Sequence, residues 1–413
     1  MESRATRERR LEAFRRLAEG GPEVAALLAK AEEATRDAGP TPALVARLRR
    51  ESDAETVAAA IDLVSARRKA AGKFLSFAGL WADPHAVEQA SSAAVAAWKA
   101  RRFGSLPVAD LCCGMGGDAR ALAAVACERL VVVDRDPVRA WMAAVNARTV
   151  APGLAIEEAV EDVETWTRGR DLSGWLVHVD PARRDERGTR TYDPEACDPP
   201  LSRALAIARS ARGGAIKLSP GVPVPLPGVR DEVEELEFLS DAGTLVQAVV
   251  WCGDLVRSPG ERRATTVAGD RIHSVAGRPS LPVEPPVGED AATLLVPDPS
   301  IERAGLLGLA GRPELATGLG ILGGDREPLP ECVRPFFRRY EVLDRPRPRE
   351  DEVRESLRRL GAAGARVRTR GGSADADRWT RAVRTGLPGP SELDLFLLRL
   401  GDRLVATVAR PLD

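Results

Sequence analysis

Lysine is scarce in this chain of 413 residues: five positions, in a total of 60 basic residues that is otherwise arginine. Aromatics make up only 4%, with two tyrosines, and there are three histidines. The six cysteines (Cys112, Cys113, Cys127, Cys197, Cys252 and Cys332) form no C-x-x-C pair. With so few histidines, that excludes the ligand spacing of a structural zinc site or an iron–sulfur cluster, and no metal is expected. No run approaches the roughly 18 apolar residues that a membrane span needs. The opening MESRATRERRLEAFRRL is charged where a signal peptide has an apolar core. The expectation is a cytoplasmic protein with reduced thiols and no membrane partner.

Hydrophobic residues, at 44%, suffice for a sizeable core, and the length suits two to four domains. Residues 1–103 read as an N-terminal helical region. Val57, Ile61 and Val64 share one apolar face. Asp83-Pro84 opens a further helix that is expected to run to Phe103. From residue 104 the period changes. The apolar runs LPVADLC, RLVVVD, WLVHVD and AIKLS alternate with helical stretches, which predicts an α/β fold around a parallel sheet. EVEELEFL and TLVQAVVWC then flank a short turn as an antiparallel hairpin. The expected organisation is a second domain over 104–276, a Pro-rich linker at 277–289 and a smaller α/β domain over 290–413.

The net charge of −1 conceals a split. Residues 1–103 carry 18 basic and 14 acidic side chains, and residues 104–330 carry 24 and 34. Residues 331–384 carry 15 and 9. An acidic middle is flanked by basic regions, so near-neutrality excludes no polyanionic partner.

The strongest local signal is VADLCCGMGGD, Val108–Asp118. A strand ends at Asp110, a Gly-rich turn follows, and a helix opens near Gly117. Gly114 and Gly116 let a ligand approach the backbone, and the helix N-terminus offers free N–H groups. The spacing is neither the G-x-G-x-x-G dinucleotide fingerprint nor a phosphate-binding P-loop. The second strand ends VVVDRDP, which places Asp134 to take the two hydroxyls of a ribose. Asp162 falls at the end of the third strand, where it can accept from an adenine amino group. The fourth strand ends in Asp180-Pro181. Four strand ends thus present polar groups on the edge where open α/β sheets bind ligands.

This order of motifs resembles class I S-adenosylmethionine-dependent methyltransferases over roughly residues 105–270. The resemblance implies a Rossmann-like sheet and S-adenosyl-L-methionine as cofactor. Carried over, Gly114 and Gly116 line its amino-acid moiety, with Asp110 and Asp118 as polar neighbours. Asp134 serves the ribose and Asp162 the adenine. Cys112 joins this cofactor-binding set, and both it and Cys113 read as small buried residues, not nucleophiles.

Methyltransferases of exocyclic amines carry D/N-P-P and an aromatic residue after the fourth strand. Here the segment is Asp180-Pro181-Ala182-Arg183-Arg184, which keeps the acid and first proline as candidate catalytic residues. Asp180 would orient an amine and accept from it as positive charge grows on nitrogen. Tyr192 could stack on a base or simply pack. Arg183 and Arg184 could hold a phosphate or pair with Asp185 and Glu186. Lys217 and Ser219 are placed at the same rim as substrate contacts, because a core position is unusual for lysine. D-P-A-R also resembles RNA uracil-C5 methyltransferases, which need a cysteine after the fifth strand. AIKLSPGVP has none, so that chemistry is rejected.

The turn and Asn146 further resemble RNA guanine-N2 methylases of the trimethylguanosine synthase type. The widest resemblance is to bacterial methyltransferases with a C-terminal THUMP-like domain, carried by EQASSAAVAAWKARRF, DPARR, KLSPG, YEVLDRPRP and RVRTRGGSADADRW. It implies a structured RNA substrate, with tRNA and rRNA both open. Arg366, Arg368 and Arg370 alternate along a predicted strand and share one face, a basic stripe suited to RNA. Cations at the N-terminal helix ends, Lys99 among them, also complement helix dipoles. The expected function is methylation of a base nitrogen, an exocyclic amine, in RNA. Methylation of a protein or small molecule, and an RNA adaptor that binds the cofactor without catalysis, are the alternatives.

Overall fold

The computed structural model of the chain describes residues 3–35, 40–71, 73–74, 77, 79–125, 127–182, 192–324, 327–370, 372–384, 387 and 389–412. Arg183, Arg184 and Gly371 lie outside the described residues. Six helices come first: α1 (Arg4–Glu19), α2 (Pro22–Ala34), α3 (Pro42–Leu48), α4 (Ala54–Ala70), α5 (Pro84–Gln89) and α6 (Ala93–Ala100). The alternating part follows as β1 (Val108–Leu111), α7 (Gly117–Ala124), β2 (Arg129–Asp134), α8 (Pro137–Val150), β3 (Ala155–Val160), α9 (Val163–Thr167), β4 (Leu176–Val179), α10 (Leu201–Ser210) and β5 (Gly213–Leu218). Then come β6 (Glu235–Asp241), β7 (Thr244–Gly253), β8 (Arg262–Ala268), β9 (Arg271–Gly277), β10 (Thr293–Pro297), α11 (Pro299–Arg303) and β11 (Leu322–Gly324). The chain closes with β12 (Phe337–Asp344), α12 (Glu350–Arg359), β13 (Ala362–Thr369), α13 (Ala376–Val383), β14 (Ser391–Leu400) and β15 (Arg403–Pro411). Two compact units result, one comprising Met1–Glu235 with Gln247–Pro259, the other Leu236–Val246 with Gly260–Asp413.

In the first unit the strands run β3-β2-β1-β4-β5-β7. The first five are mutually parallel and β7 is antiparallel to β5. β1, β4 and β5 are buried at every residue, as strands covered on both faces are. The order reverses between β1 and β4, and the crevice beyond their C-terminal ends is the topological switch point of an open sheet.

The N-terminal helices share a core with this sheet's outer layer. Phe14, Leu17 and Leu63 pack with Met115, Val138, Trp141 and Met142. Trp81 meets Trp141 edge-on at 5.3 Å between ring centres. Asp83 opens α5 as expected, accepting from Ala86 N at 2.8 Å. It also takes Arg10 at 2.8 Å and Arg139 at 2.9 Å, so one buried carboxylate ties α1, α5 and α8 together. Burial pushes the Asp83 carboxyl up, but Arg139, the Ala86 N–H and Arg10 outweigh it and hold it below the usual range.

The helix opened by Asp83 does not continue to Phe103. It stops at Gln89, Ala90 turns extended (φ −62°, ψ 146°), and Ser92 caps a separate α6. Consecutive serines favour caps over helix interiors, because their hydroxyls compete for backbone partners. Ser91 is committed elsewhere, as described below.

In the second unit, β6 leads through Ala242 and Gly243, both at positive φ (48° and 79°), into β7, the two-residue turn that hairpins favour. β6 pairs with β8 in parallel and β8 with β9 antiparallel. A second sheet, ordered β11-β10-β12-β15-β14-β13, is antiparallel except at β13–β14. Along β14, Leu395 and Leu397 face α12 and α13, while Phe396 and Leu398 face Tyr340 and Leu294. This is the period of two that a strand imposes. The Pro-rich stretch 277–289 lies inside this unit.

Asp83→Ala removes a helix cap and the shared counter-ion of two arginines, a loss of about 3 kcal/mol at pH 7. A depressed carboxyl stabilises above its unfolded pKa of about 3.9, and that contribution is lost as pH falls through the lower folded value. Urea denaturation of both proteins is expected to show the gap narrowing below about pH 4. A gap equal at pH 7 and pH 3 would show that the Asp83 charge does not contribute to stability.

Candidate active site

The C-terminal ends of β1 to β4 open onto a cleft of about 260 Å³. Among its lining residues are Cys112, Gly114, Asp118, Asp134, Asp162, Asp180 and Pro181. The α5 segment supplies a wall through His85, Ala86, Gln89 and Ala90.

The turn after β1 holds three residues at positive φ: Cys112 (59°), Gly114 (55°) and Gly116 (82°). For Cys112 the left-handed conformation costs on the order of 1 kcal/mol, which the surrounding packing sustains. Gly114 has nothing within 4 Å of where a Cβ would stand, so its outer side is open. Gly116 does a different job: a Cβ there would lie 2.6 Å from Ala143 Cα, so it lets α7 close on α8. Burial, then the Asp134 carboxylate, pushes both the Cys112 and Cys113 thiols well above the usual range.

Asp134 accepts from Gly114 N at 3.0 Å and from Asp136 N at 2.9 Å. Burial raises its carboxyl above the ordinary value against these two bonds. Each oxygen keeps a further lone pair. Asp162 is exposed at the rim and caps α9 through Glu164 N at 2.9 Å. Asp180 follows β4, its N–H bonded to Leu111 O at 3.0 Å.

Three expected contacts are buried and do not line the cleft. Asp110 is 1% exposed and takes His178 Nδ1 at 2.7 Å. A β-strand alternates its side chains, and Asp110 points into the sheet's cover, not past its end. Lys217, expected at the rim, is 5% exposed and donates to Asp180 Oδ2 at 2.7 Å and to Gln89 O at 3.3 Å. A buried lysine is tolerated because these acceptors replace its hydration. Ser219 is also buried, accepting from Gly221 N at 3.4 Å. Tyr192 is 60% exposed with its ring over Gly221, outside the cleft lining.

Beneath Asp118 lies a polar network the sequence reading did not assemble. Lys99 Nζ stands 2.7 Å from Asp118 Oδ1, and Ser91 Oγ donates to Oδ2 at 2.9 Å. Lys99 also lies 3.4 Å from His178 Nε2. The arrangement fits an imidazole with its proton on Nδ1, donated to Asp110. A histidine inside the apolar WLVHVD and a lysine inside AAVAAWKA were the available signals. A second acid–proline pair was also missed. Asp198 and Pro199 line the cleft, and Asp198 pairs with Ala182 through backbone bonds of 2.8 and 3.1 Å. Its carboxylate reaches Arg135 at 2.6 Å. The D-P-P at 198–200 announces it.

In the second unit the basic stripe is largely spoken for. Arg368 bonds the buried Asp394 at 2.5 Å, and Arg370 pairs with Glu302. Arg366 is exposed, with no ion pair seen among the described residues. Among the described residues no group of three or more His, Cys, Asp or Glu side chains is placed to hold a metal ion. No described helix is long and apolar enough to cross a membrane.

No family model matches the chain. Two curated Mycobacterium tuberculosis proteins, from strains CDC 1551 / Oshkosh and ATCC 25618 / H37Rv, are similar to it. Both are named as uncharacterised S-adenosylmethionine-dependent methyltransferases. Each is 30% identical over 361 residues, covering 84% of this chain and 94% of its own. A crystal structure from Porphyromonas gingivalis W83, provisionally described as a methyltransferase, matches with a TM-score of 0.71. At 17% identity it covers 94% of this chain and 98% of its own, which shows a shared fold.

The two glycines of the turn should respond differently to alanine. At Gly114 only the left-handed backbone penalty applies, about 1–2 kcal/mol. At Gly116 an overlap with Ala143 adds to it, for a total of about 3 kcal/mol or more. Chemical denaturation of both variants measures this, and equal losses would refute the close approach of α7 to α8.

Proposed function

The chain belongs to the S-adenosylmethionine-dependent methyltransferases, and on that premise we propose that it methylates a base nitrogen, an exocyclic amine, in RNA. S-adenosylmethionine, when bound, supplies an electrophilic methyl group on a sulfonium. The residues present suit it: Asp134 retains lone pairs for ribose hydroxyls, and the open side of Gly114 leaves room at the turn. In this reading Gly114, Cys112 and Asp118 serve the amino-acid end and Asp162 the adenine, while Gly116 acts on the turn through its packing against α8. Asp110 supports the floor through His178.

The observation that carries the acceptor assignment is the bond between Lys217 and Asp180. One carboxylate oxygen is committed to a buried ammonium, so the group is held in place, and Oδ1 is left for an acceptor N–H. A fixed carboxylate beside Pro181 can orient an amine and accept more strongly as its nitrogen gains positive charge. A thiolate is disfavoured at three cysteines: Cys112 and Cys113 are raised, and burial with Glu234 pushes Cys252 up to about 12. The basic flanks favour a structured RNA, tRNA or rRNA. Arg366, Arg183 and Arg184 are then phosphate contacts, Tyr192 a stacking surface and residues 290–413 a THUMP-like domain. The reading places the protein in the cytoplasm. The pairing of Arg368 and Arg370 favours a second reading, in which the acceptor is a protein or small molecule.

The test is incubation with labelled S-adenosylmethionine and total RNA from a strain lacking the protein, then nucleoside mass spectrometry. Label is expected in a methylated base. Label in protein and not in RNA overturns the acceptor. Asp180→Ala is expected to lower transfer by about a hundredfold or more while cofactor affinity stays within twofold. Asp134→Ala should instead weaken cofactor binding by about tenfold or more, measured calorimetrically.

A further inference from the structure

Two of the five lysines are buried under the cleft, and each is bonded to one of its aspartates at 2.7 Å, Lys217 to Asp180 and Lys99 to Asp118. Lys99 is the more enclosed, 1% exposed at the end of α6. Its ammonium has three neighbours in three directions: Asp118 Oδ1, Ser91 Oγ at 3.3 Å and His178 Nε2 at 3.4 Å. A compact group with three rotatable donors meets such a set where a planar guanidinium cannot, which accounts for a lysine in an arginine-rich chain.

We infer that Lys99 is a positioning residue that keeps Asp118 ionised and oriented at the cleft, where Asp118 takes the ammonium group of the cofactor's amino-acid end. The inference rests on reading this cleft as the cofactor site. Asp118 lines the cleft beside the Gly-rich turn. Its side chain is only 9% exposed, and a carboxylate so enclosed takes up a proton unless a counter-ion opposes it. The groups facing it are Lys99 from α6, His178 Nε2 at 3.9 Å from β4, Lys217 from β5, and the like charges of Asp110 and Asp180. Burial pushes Asp118 up, but the Lys99 ammonium, with Lys217 behind it, outweighs it and holds the carboxyl well below the usual range. Without Lys99, burial and the neighbouring carboxylates act unopposed by the nearest cation. A neutral acid has no charge to offer an ammonium.

The experiment compares S-adenosylhomocysteine with 5′-methylthioadenosine, two thioethers that differ only in the amino-acid end. Their dissociation constants are measured calorimetrically from pH 6 to 8.5 on the full chain. In the wild type the affinity ratio should be constant across this range. In Lys99→Met it should fall about tenfold at pH 6 and recover as pH rises and Asp118 loses its proton, with methylthioadenosine affinity unchanged. Asp118→Asn should lower the ratio by a similar factor at every pH. A flat, wild-type ratio in folded Lys99→Met, or equal losses for both nucleosides, overturns the inference. If Lys99→Met does not fold, the nearly isosteric Asp118→Asn decides: an unchanged ratio overturns it. A wild type that binds neither nucleoside would overturn the cofactor site itself.

Discussion

The break between α5 and α6 is the constraint around which the first unit is organised. A helix that ends inside a protein leaves carbonyls needing donors, and α5 ends against the cleft. Lys73 supplies three bonds, to Val87 O at 2.8 Å, Glu88 O at 2.9 Å and Ala90 O at 3.2 Å. Lys217 reaches Gln89 O, Lys99 reaches Ser91 Oγ, and Lys69 pairs with the Glu88 side chain. Four of the chain's five lysines thus converge on residues 87–91. Two of those cations continue past the segment to Asp118 and Asp180. The wall of the cleft and its two deepest charges are consequently held by the same ammonium groups.

This arrangement gives the N-terminal helices a role beyond packing. α6 delivers Lys99, α5 delivers the wall, and Asp83 locks α5 to α8 through Arg139. The sheet alone presents carboxylates at its strand ends. The helical region provides what keeps Asp118, in the first turn of α7, charged when enclosed. The Gly-rich turn adds the remaining condition, because Gly116 lets α7 close on α8 while Gly114 stays open.

Much of the fold was legible locally. Apolar runs of four to six residues bounded by Gly, Pro or Asp became β1, β2, β4 and β5. The continuous helix from Asp83 to Phe103 was not, since two serines divide it and one of them serves Asp118 instead of the backbone. Of the site, the acids at strand ends were legible because a strand's end fixes their edge. Lys217 was misplaced for a sound reason, that lysine avoids cores, and only its pairing with Asp180 overrides that.

By itself, then, the amino-acid order determined what depends on near neighbours: the alternation of strand and helix, the turn at residues 112–116, and carboxylates on one sheet edge. Tertiary structure decided which charges meet. His178 and Asp110 are 68 positions apart, Lys99 and His178 are 79 apart, and Lys217 and Gln89 are 128 apart. It also decided that Arg368 and Arg370 spend their charge on Asp394 and Glu302. Local periodicity carries no information about partners so distant, because the energy of an ion pair depends on separation and burial in space.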